Sequence, residues 1–430
     1  MTPGARIAAA IEVVADIEAR KRPAAEALKD WGLSHRFAGS KDRAAIASLV
    51  YDGQRKRASS AYIMGEETPR AIVLGTLRQL HDMSAAALAA LFSGEGHAPP
   101  PLSADEARLL SAGDISGAPD FVAGDFPAWL EPSLGAVFGP AIVEEMRALA
   151  ARAPIDLRAN TLKTAREEAL VRLAHLSPAP APYSPWGLRL PLAPDGRGPS
   201  LSAEPAYAKG LVEIQDEASQ LAALLSLAKP GEQVLDLCAG AGGKTLALAA
   251  MMHNKGQVHA SDRDGARLLR SAARLKRAGA RNVQLHVPRT GSNVLAGLEN
   301  RCDLVFVDAP CTGTGAWRRN PDAKWRMRPG ALALRIAEQD QSLASAARYT
   351  RPGGRILYAT CSVLREENED RLTAFLEAYL GFKSVPAREL AAMAGVSELG
   401  RFASQFGFGL RLTPLTSGTD GFFIAMLVRV

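Results

Sequence analysis

The chain has 430 residues, of which 47% are apolar and 22% charged, and a formal charge of +6. That length exceeds the roughly 100–200 residues of one ordinary domain, so two or three units are expected, and the composition excludes a disordered or fibrous chain. No apolar run approaches the roughly 18–20 residues that span a bilayer, the first residues lack a secretory leader's pattern, and four cysteines without a CxxC pair exclude a disulfide scaffold. The expectation is a cytoplasmic monomer without membrane or metal partners, whose positive charge favours an anionic partner such as nucleic acid.

Residues 1–125 are expected to be helical. Ile7, Ile11, Val14 and Ile17 recur at helical spacing, and Ala44, Ile46, Leu49, Val50 and Tyr51 form a second apolar cluster. The stretch Gly94–Pro119, with Pro99, Pro100 and Pro101, reads as a loop. Residues 126–210 are mixed, with a helix at Ala141–Ala151, a strand at Ile155–Arg158 and a helix at Arg166–His175, and suggest a small α/β module. Residues 211–430 alternate, with helices at Glu217–Leu227, Leu246–Met252 and Gly265–Ala278 and strands at Val234–Cys238 and Val258–Ser261. Further strands follow at Leu304–Val307, Arg355–Ala359 and Phe422–Val428. Such alternation predicts a doubly wound, mostly parallel α/β sheet.

The first strand of this region runs into Cys238, Ala239, Gly240, Ala241, Gly242, Gly243, Lys244 and Thr245 before a helix. Its glycines permit a sharp turn and bring backbone amides close to a ligand. A phosphate-binding Walker loop needs glycine where Cys238 stands, and the dinucleotide pattern from Gly240 fails at Thr245, so a P-loop nucleotidase is set aside. The next strand leads to Asp262, a carboxylate suited to both ribose hydroxyls of a nucleoside cofactor.

Two later strands end in Asp308-Ala309-Pro310-Cys311 and in Thr360-Cys361-Ser362. Ligands of open α/β sheets lie outside the carboxyl ends of strands, so both thiols and Asp308 are expected to converge on the crevice beside the Gly240 loop. Carbon 5 of cytosine is a poor nucleophile until a thiolate adds at carbon 6, and charge developing on the ring then needs an acid at N3, for which Asp308 is the nearest candidate. A cysteine is the natural attacking group, and Cys311 is a candidate to assist the elimination. Cys302 reads as a small core hydrophobe.

Asp-Leu-Cys-Ala-Gly-Ala-Gly-Gly-Lys-Thr (236–245), Asp-Ala-Pro-Cys-Thr-Gly-Thr-Gly (308–315), Arg-Arg-Asn-Pro-Asp-Ala-Lys-Trp (318–325) and Ala-Thr-Cys-Ser (359–362) with Glu366, Glu367 and Asn368 together resemble the RsmB/Nop2/Sun family of RNA cytosine-5 methyltransferases. Leu157–Lys163, Gln215–Gln220 and Thr419–Phe423 extend the resemblance over about Asp156 to Val430. It implies a Rossmann-like, S-adenosylmethionine-dependent domain with Cys361 as nucleophile and Cys311 aiding release. Cys238 to Lys244 then hold the methionine part of the cofactor, Asp262 the ribose and Asp308 the cytosine edge, with Lys244 beside Asp308 and Arg267 touching the cofactor. Two departures stand out: Gly240-Ala241 replaces the usual Ala-Pro, and Pro288-Arg289-Thr290-Gly291 replaces an acid that contacts the adenine amino group. The N-terminal region, with Lys41-Asp42-Arg43 and Ile46 to Arg55, resembles the NusB-like RNA-binding domain of ribosomal RNA members, which favours ribosomal over transfer RNA and the 16S species in particular.

RNA contacts are expected from Arg318, Arg319, Lys324 and Arg326 interleaved with Trp317 and Trp325, and from a stripe of Arg263, Arg267, Arg270, Arg274, Arg277 and Arg281 opposite Leu268, Ala272 and Leu275. A DNA cytosine-5 methyltransferase would use Cys311 as nucleophile and leaves Cys361 unexplained. An inactive RNA-binding assembly factor leaves both thiols and Asp308 unexplained.

Overall fold

The computed structural model describes residues 1–193 and 198–430. They form two compact units, Met1–Ala151 with Trp317–Pro329, and Arg152–Ala316 with Gly330–Val430. The expected boundaries at 125 and 210 both fall inside these units. Asp125 is buried, and its carboxylate accepts hydrogen bonds from the Ser59 amide (2.9 Å) and hydroxyl and pairs with Lys56 at 3.2 Å, which ties this part of the chain into the helical unit. Beyond 210, Val212–Ile214 supplies a strand to the sheet of the small module.

The helical unit grows from amphipathic helices. In Pro3–Arg20, Thr2 caps the start by accepting from the Ala5 amide (3.2 Å), and Ile7, Ala10, Val13, Val14 and Ile17 form the buried stripe. They join Trp31, Ile46, Val50, Ile72, Leu74, Leu88 and Leu110 in one core. The stretch 94–119 is not all loop, because Ala104–Ala112 is a helix. A capping box opens it: Ser103 Oγ accepts from the Glu106 amide at 3.1 Å, and Glu106 Oε2 accepts from the Ser103 amide at 2.8 Å.

The segment Trp317–Pro329 belongs to this unit, and of the residues expected to contact RNA, Trp317, Arg318 and Lys324 are buried in it while Arg326 is exposed. Lys324 is 1% exposed and donates to the carbonyl oxygens of Arg55 (3.2 Å) and Asp125 (2.5 Å), and the Trp325 indole donates to the Gln54 carbonyl at 2.7 Å. Arg55 returns a bond to the Arg318 carbonyl (2.8 Å), the Ala24 amide donates to Asp322 (3.1 Å), and Arg326 pairs with the same carboxylate at 3.0 Å. Burial drives the Lys324 ammonium down to about 7.

The second unit holds two sheets. The smaller is antiparallel, with strands β1 (Ile155–Ala159), β2 (Ala179–Pro180), β3 (Gly187–Leu190) and β4 (Val212–Ile214) in the order β2-β3-β1-β4. Leu157 and Ala159 pack on Leu188, Leu190 and Val212, while Asp156 pairs with Arg189 and Arg158 bonds Gln215.

The larger sheet contains β5 (Gln233–Asp236), β6 (Gln257–Ser261), β7 (Val283–His286), β8 (Cys302–Asp308), β9 (Thr350–Thr360), β10 (Phe382–Ser384), β11 (Leu410–Leu412) and β12 (Phe422–Arg429). Its order is β10-β12-β9-β8-β5-β6-β7, with β11 on β12; β7 to β9 are parallel and β12 runs antiparallel to its three neighbours. Strand β8 explains the layering. Leu304 and Phe306 join one core with Leu221, Leu248 and Met252, whereas Val305 and Val307 join another with Leu343, Ala346 and Phe375. A strand buried on both faces reads as an unbroken apolar run. Cys302 is fully buried in the second of these cores, and burial pushes its thiol up to about 12. The doubly wound, mostly parallel class is as expected.

Candidate active site

Strand order reverses at β5, which has β6 on one side and β8 on the other, so a crevice opens at the carboxyl ends of β5 and β8. β5 stops at Asp236, two residues earlier than the sequence suggests, and the turn that follows relies on Gly240 (φ 55°) and Gly242 (φ 81°). A Cβ on Gly242 would lie 2.8 Å from that of Ser271. Ala239 donates its amide to the Ser261 carbonyl (2.9 Å), Ala241 offers its carbonyl to Arg274 (2.8 Å), and Gly243 begins the helix Gly243–Met251. Asp262 is buried; Oδ2 accepts from the Gly240 amide (2.7 Å) and Oδ1 from the Asp264 amide (2.8 Å). It therefore fixes the turn, and each oxygen keeps a second lone pair for a hydroxyl. The Arg267 guanidinium lies over Gly240, where a Cβ would meet its Nη2 at 3.0 Å. Cys238 is half-buried, 4.0 Å from the Ser342 hydroxyl, and burial pushes its thiol up to about 12.

Beneath the turn, Asp236 is fully buried. Thr245 donates to its Oδ2 at 2.6 Å, Oδ1 has no partner among the described residues, and burial raises this carboxyl to about 7. In the first turn of the helix, Lys244 Nζ lies 2.6 Å from Asp308 Oδ2 and 5.2 Å from the centre of the Phe422 ring.

The parallel pairing of β8 with β9 sets Asp308 opposite Ala359, so the two strands end in step and their cysteines emerge together. Cys311 Sγ and Cys361 Sγ are 3.4 Å apart, though fifty residues separate them in sequence. Hydrogen bonds join the two loops: the Gly315 amide donates to the Cys361 carbonyl (2.9 Å), Thr314 and Ser362 share a hydroxyl contact (3.0 Å), and the Val363 amide donates to Thr314 Oγ1 (2.9 Å). Gly421, unremarked in the sequence beyond its motif, presses on this joint. Its amide donates to the Gly315 carbonyl at 2.8 Å, and a Cβ on Gly315 would lie 2.0 Å from the Gly421 carbonyl oxygen. The Cys311 thiol is pushed well up by its hydrogen bond to Cys361, by burial and by the Glu367 carboxylate. Either sulfur can donate in this contact.

The helix expected over Gly265–Ala278 is two, Gly265–Leu269 and Ser271–Ala278, and Arg263 and Arg281 of the expected stripe lie outside both. Arg274 and Arg277 grip the buried Glu213 (2.9 and 2.5 Å), and Arg263 pairs with Glu338.

With this geometry in place, comparison with known proteins is informative. The family model described as 16S rRNA methyltransferase RsmB/F matches residues 222–428. A probable ribosomal RNA small subunit methyltransferase B of Synechocystis sp. is 32% identical over 71% of this chain and 67% of its own length. The chain belongs to this family. Another RsmB/F relative, the ribosomal RNA small subunit methyltransferase B of Sodalis glossinidius, is 33% identical over 70% of this chain and 65% of its own length, so the chain spans about two thirds of such relatives. Among solved structures, that of PH0851 is 27% identical with a TM-score of 0.74, covering 99% of both chains. RsmB/F proteins are S-adenosylmethionine-dependent methyltransferases, and the glycine turn, Asp262 and Lys244–Asp308 fit that cofactor. Ala239, Ala260 and Leu268, with Val283, Leu285 and Val287, supply an apolar wall beside the turn. The stretch after β7 brings no acid: Pro288, Arg289, Thr290 and Gly291 are exposed.

Proposed function

We propose that this protein methylates carbon 5 of a cytosine in ribosomal RNA, the 16S species of the small subunit, through a covalent adduct on Cys361. The 3.4 Å approach of two reduced sulfurs carries the reading. The names of the relatives and the resemblance of the N-terminal sequence to NusB-like RNA-binding domains support the RNA class. S-adenosylmethionine, bound by Cys238 to Lys244, Asp262 and Arg267, supplies an electrophilic methyl group.

In this reading the Cys361 thiolate bonds to carbon 6 of the cytosine and pushes electron density onto carbon 5. Asp308, whose Oδ1 has no protein partner among the described residues, holds the pyrimidine edge while Lys244 fixes its Oδ2. Carbon 5 takes the methyl group, whose donor leaves as a neutral thioether; its proton then passes to a base, a role assigned here to the Cys311 sulfur, and the freed electron pair restores the C5–C6 double bond as the carbon–sulfur bond breaks and Cys361 leaves as a thiolate. A base must be turned out of its stack to reach these sulfurs.

The deciding experiment incubates wild type, C361A and C311A with 16S RNA fragments and the methyl donor, then separates products on denaturing gels. C311A is expected to accumulate a protein–RNA adduct and C361A neither adduct nor product. An adduct from C361A alone reverses the assignment.

A further inference from the structure

Two adjacent residues, Glu367 and Asn368, brace both cysteine loops, Asn368 directly on both sides of Cys361 and Glu367 on Thr312 directly and on Pro310 through Gln339. Glu367 is fully buried, and its Oε1 accepts from the Thr312 amide (2.8 Å) and from Gln339 Nε2 (3.0 Å), while Oε2 accepts from the Thr312 hydroxyl (2.5 Å). Gln339, also fully buried, donates with the same nitrogen to the Pro310 carbonyl at 2.9 Å. Pro310 and Thr312 flank Cys311. Asn368 makes the corresponding grip on the other loop: its Oδ1 accepts from the Thr360 hydroxyl (2.5 Å) and its Nδ2 donates to the Ser362 carbonyl (2.9 Å). Thr360 and Ser362 flank Cys361. The dipeptide is itself anchored, since Tyr358 donates to the Glu367 carbonyl (2.6 Å) and the next residue, Glu369, is buried against Arg411 at 2.5 Å.

We propose that Glu367 and Asn368 are positioning residues for the two-cysteine chemistry, one dipeptide setting the approach of the sulfurs and the Glu367 carboxylate giving the two thiols different roles. The inference rests on the two-cysteine reading above and deepens it. Two thiols of one type at this distance have no intrinsic reason to differ, and a nucleophile must be the one that ionises. A fixed negative charge held against one loop breaks that symmetry. The groups facing the pair are Glu367 and Tyr358 on the Cys311 side and Lys244, with its partner Asp308, on the Cys361 side. The acid held against the Cys311 loop disfavours a thiolate there. Cys361 is then the sulfur assigned to attack.

Alkylation of the full-length protein by iodoacetamide, followed for each cysteine by peptide mass spectrometry across pH 6–10, tests this without RNA or methyl donor. Its outcome is therefore independent of whether cytosine is the substrate. Wild type should alkylate Cys361 well ahead of Cys311. E367Q keeps the shape and removes the charge, so the Cys311 rate should rise about tenfold relative to Cys361, roughly the effect of one pKa unit. N368A should change the Cys361 rate relative to Cys311 at least severalfold, because a released Thr360–Ser362 loop no longer holds the 3.4 Å approach of the sulfurs. T312V loosens the Cys311 loop with Glu367 intact, and is expected to raise the Cys311 rate severalfold even should E367Q fold poorly. A ratio of the two rates within twofold of wild type in both E367Q and T312V overturns the proposal, as does an equal rise at both cysteines, the signature of general loosening.

Discussion

Lys244 and Asp308 form a 2.6 Å ion pair across the mouth of the crevice, each at the end of a different element: the first turn of a helix and the last residue of β8. Burial alone would depress the Lys244 ammonium, but the Asp308 carboxylate outweighs it and leaves the lysine raised. The pair thus holds Asp308 still for a base edge. D308N keeps the volume and loses the charge, and should lower kcat by about 10²–10⁴ with methyl-donor affinity changed less than tenfold. Methyl incorporation and calorimetric titration measure the two. A loss in kcat below tenfold removes Asp308 from the reacting site.

Gly315 and Gly313 provide a matched pair. A Cβ at 315 would fall 2.0 Å from the Gly421 carbonyl oxygen, backbone against backbone, whereas at Gly313 (φ 72°) nothing lies within 4 Å. G313A should cost only about 1–2 kcal/mol, from left-handed strain. G315A must instead separate the Cys311 loop from Gly421, so methyl transfer should be lost and the melting temperature should fall further than in G313A. Equal melting of the two variants would refute the close-packed joint.

Much of this site is legible in the sequence, because strand-end motifs in a parallel sheet converge by topology. Asp236 and Asp308 end β5 and β8, Gly240, Asp262, Cys311 and Cys361 follow β5, β6, β8 and β9, and alternation of helix and strand fixes that edge. What escaped depends on neighbours far along the chain. Lys324 and Trp325 look like a nucleic-acid patch until Arg55, Gln54 and Asp125 are seen to take their donors. Arg274 and Arg277 look solvated until Glu213 is placed between them. Gln339 carries no local signal, since its role requires both Pro310 and Glu367. The helix Ala104–Ala112 had its signal in Ser103 and Glu106, masked by the prolines before it.

Lys324 yields a prediction of pH dependence. Its folded value near 7 lies below the ordinary 10.5, with burial the main cause and Arg55 and Lys56 adding to it. Between about pH 7 and 10.5 the unfolded chain binds a proton that the folded unit does not, so stability rises with pH across that window; below 7 both states carry it and the penalty is complete. K324M should abolish this slope. Thermal unfolding of the full chain at pH 6, 7.5 and 9 reads it, at about 2–4 °C per kcal/mol for a unit of this size. An identical pH slope in K324M and wild type would mean that this lysine stays charged and solvated.

The divided arginine helix separates structural cations from those available to RNA. Arg274 and Arg277 are committed to Glu213, while Arg270 and Lys276 are exposed and have no acidic partner among the described residues. A cation on a phosphate releases a counterion, contributing about 0.7–0.9 to the slope of log affinity against log salt. Changing Arg270 and Lys276 together to glutamine should therefore flatten that slope by roughly 1–2 while leaving the fold intact. R277Q should leave the slope unaltered and lower the melting temperature, because it strips the buried Glu213 of one of its two guanidinium partners. Filter binding of 16S RNA fragments from 50 to 200 mM salt distinguishes the two classes. A flatter slope in R277Q, with no change in the double variant, would assign the RNA path to the inner pair instead.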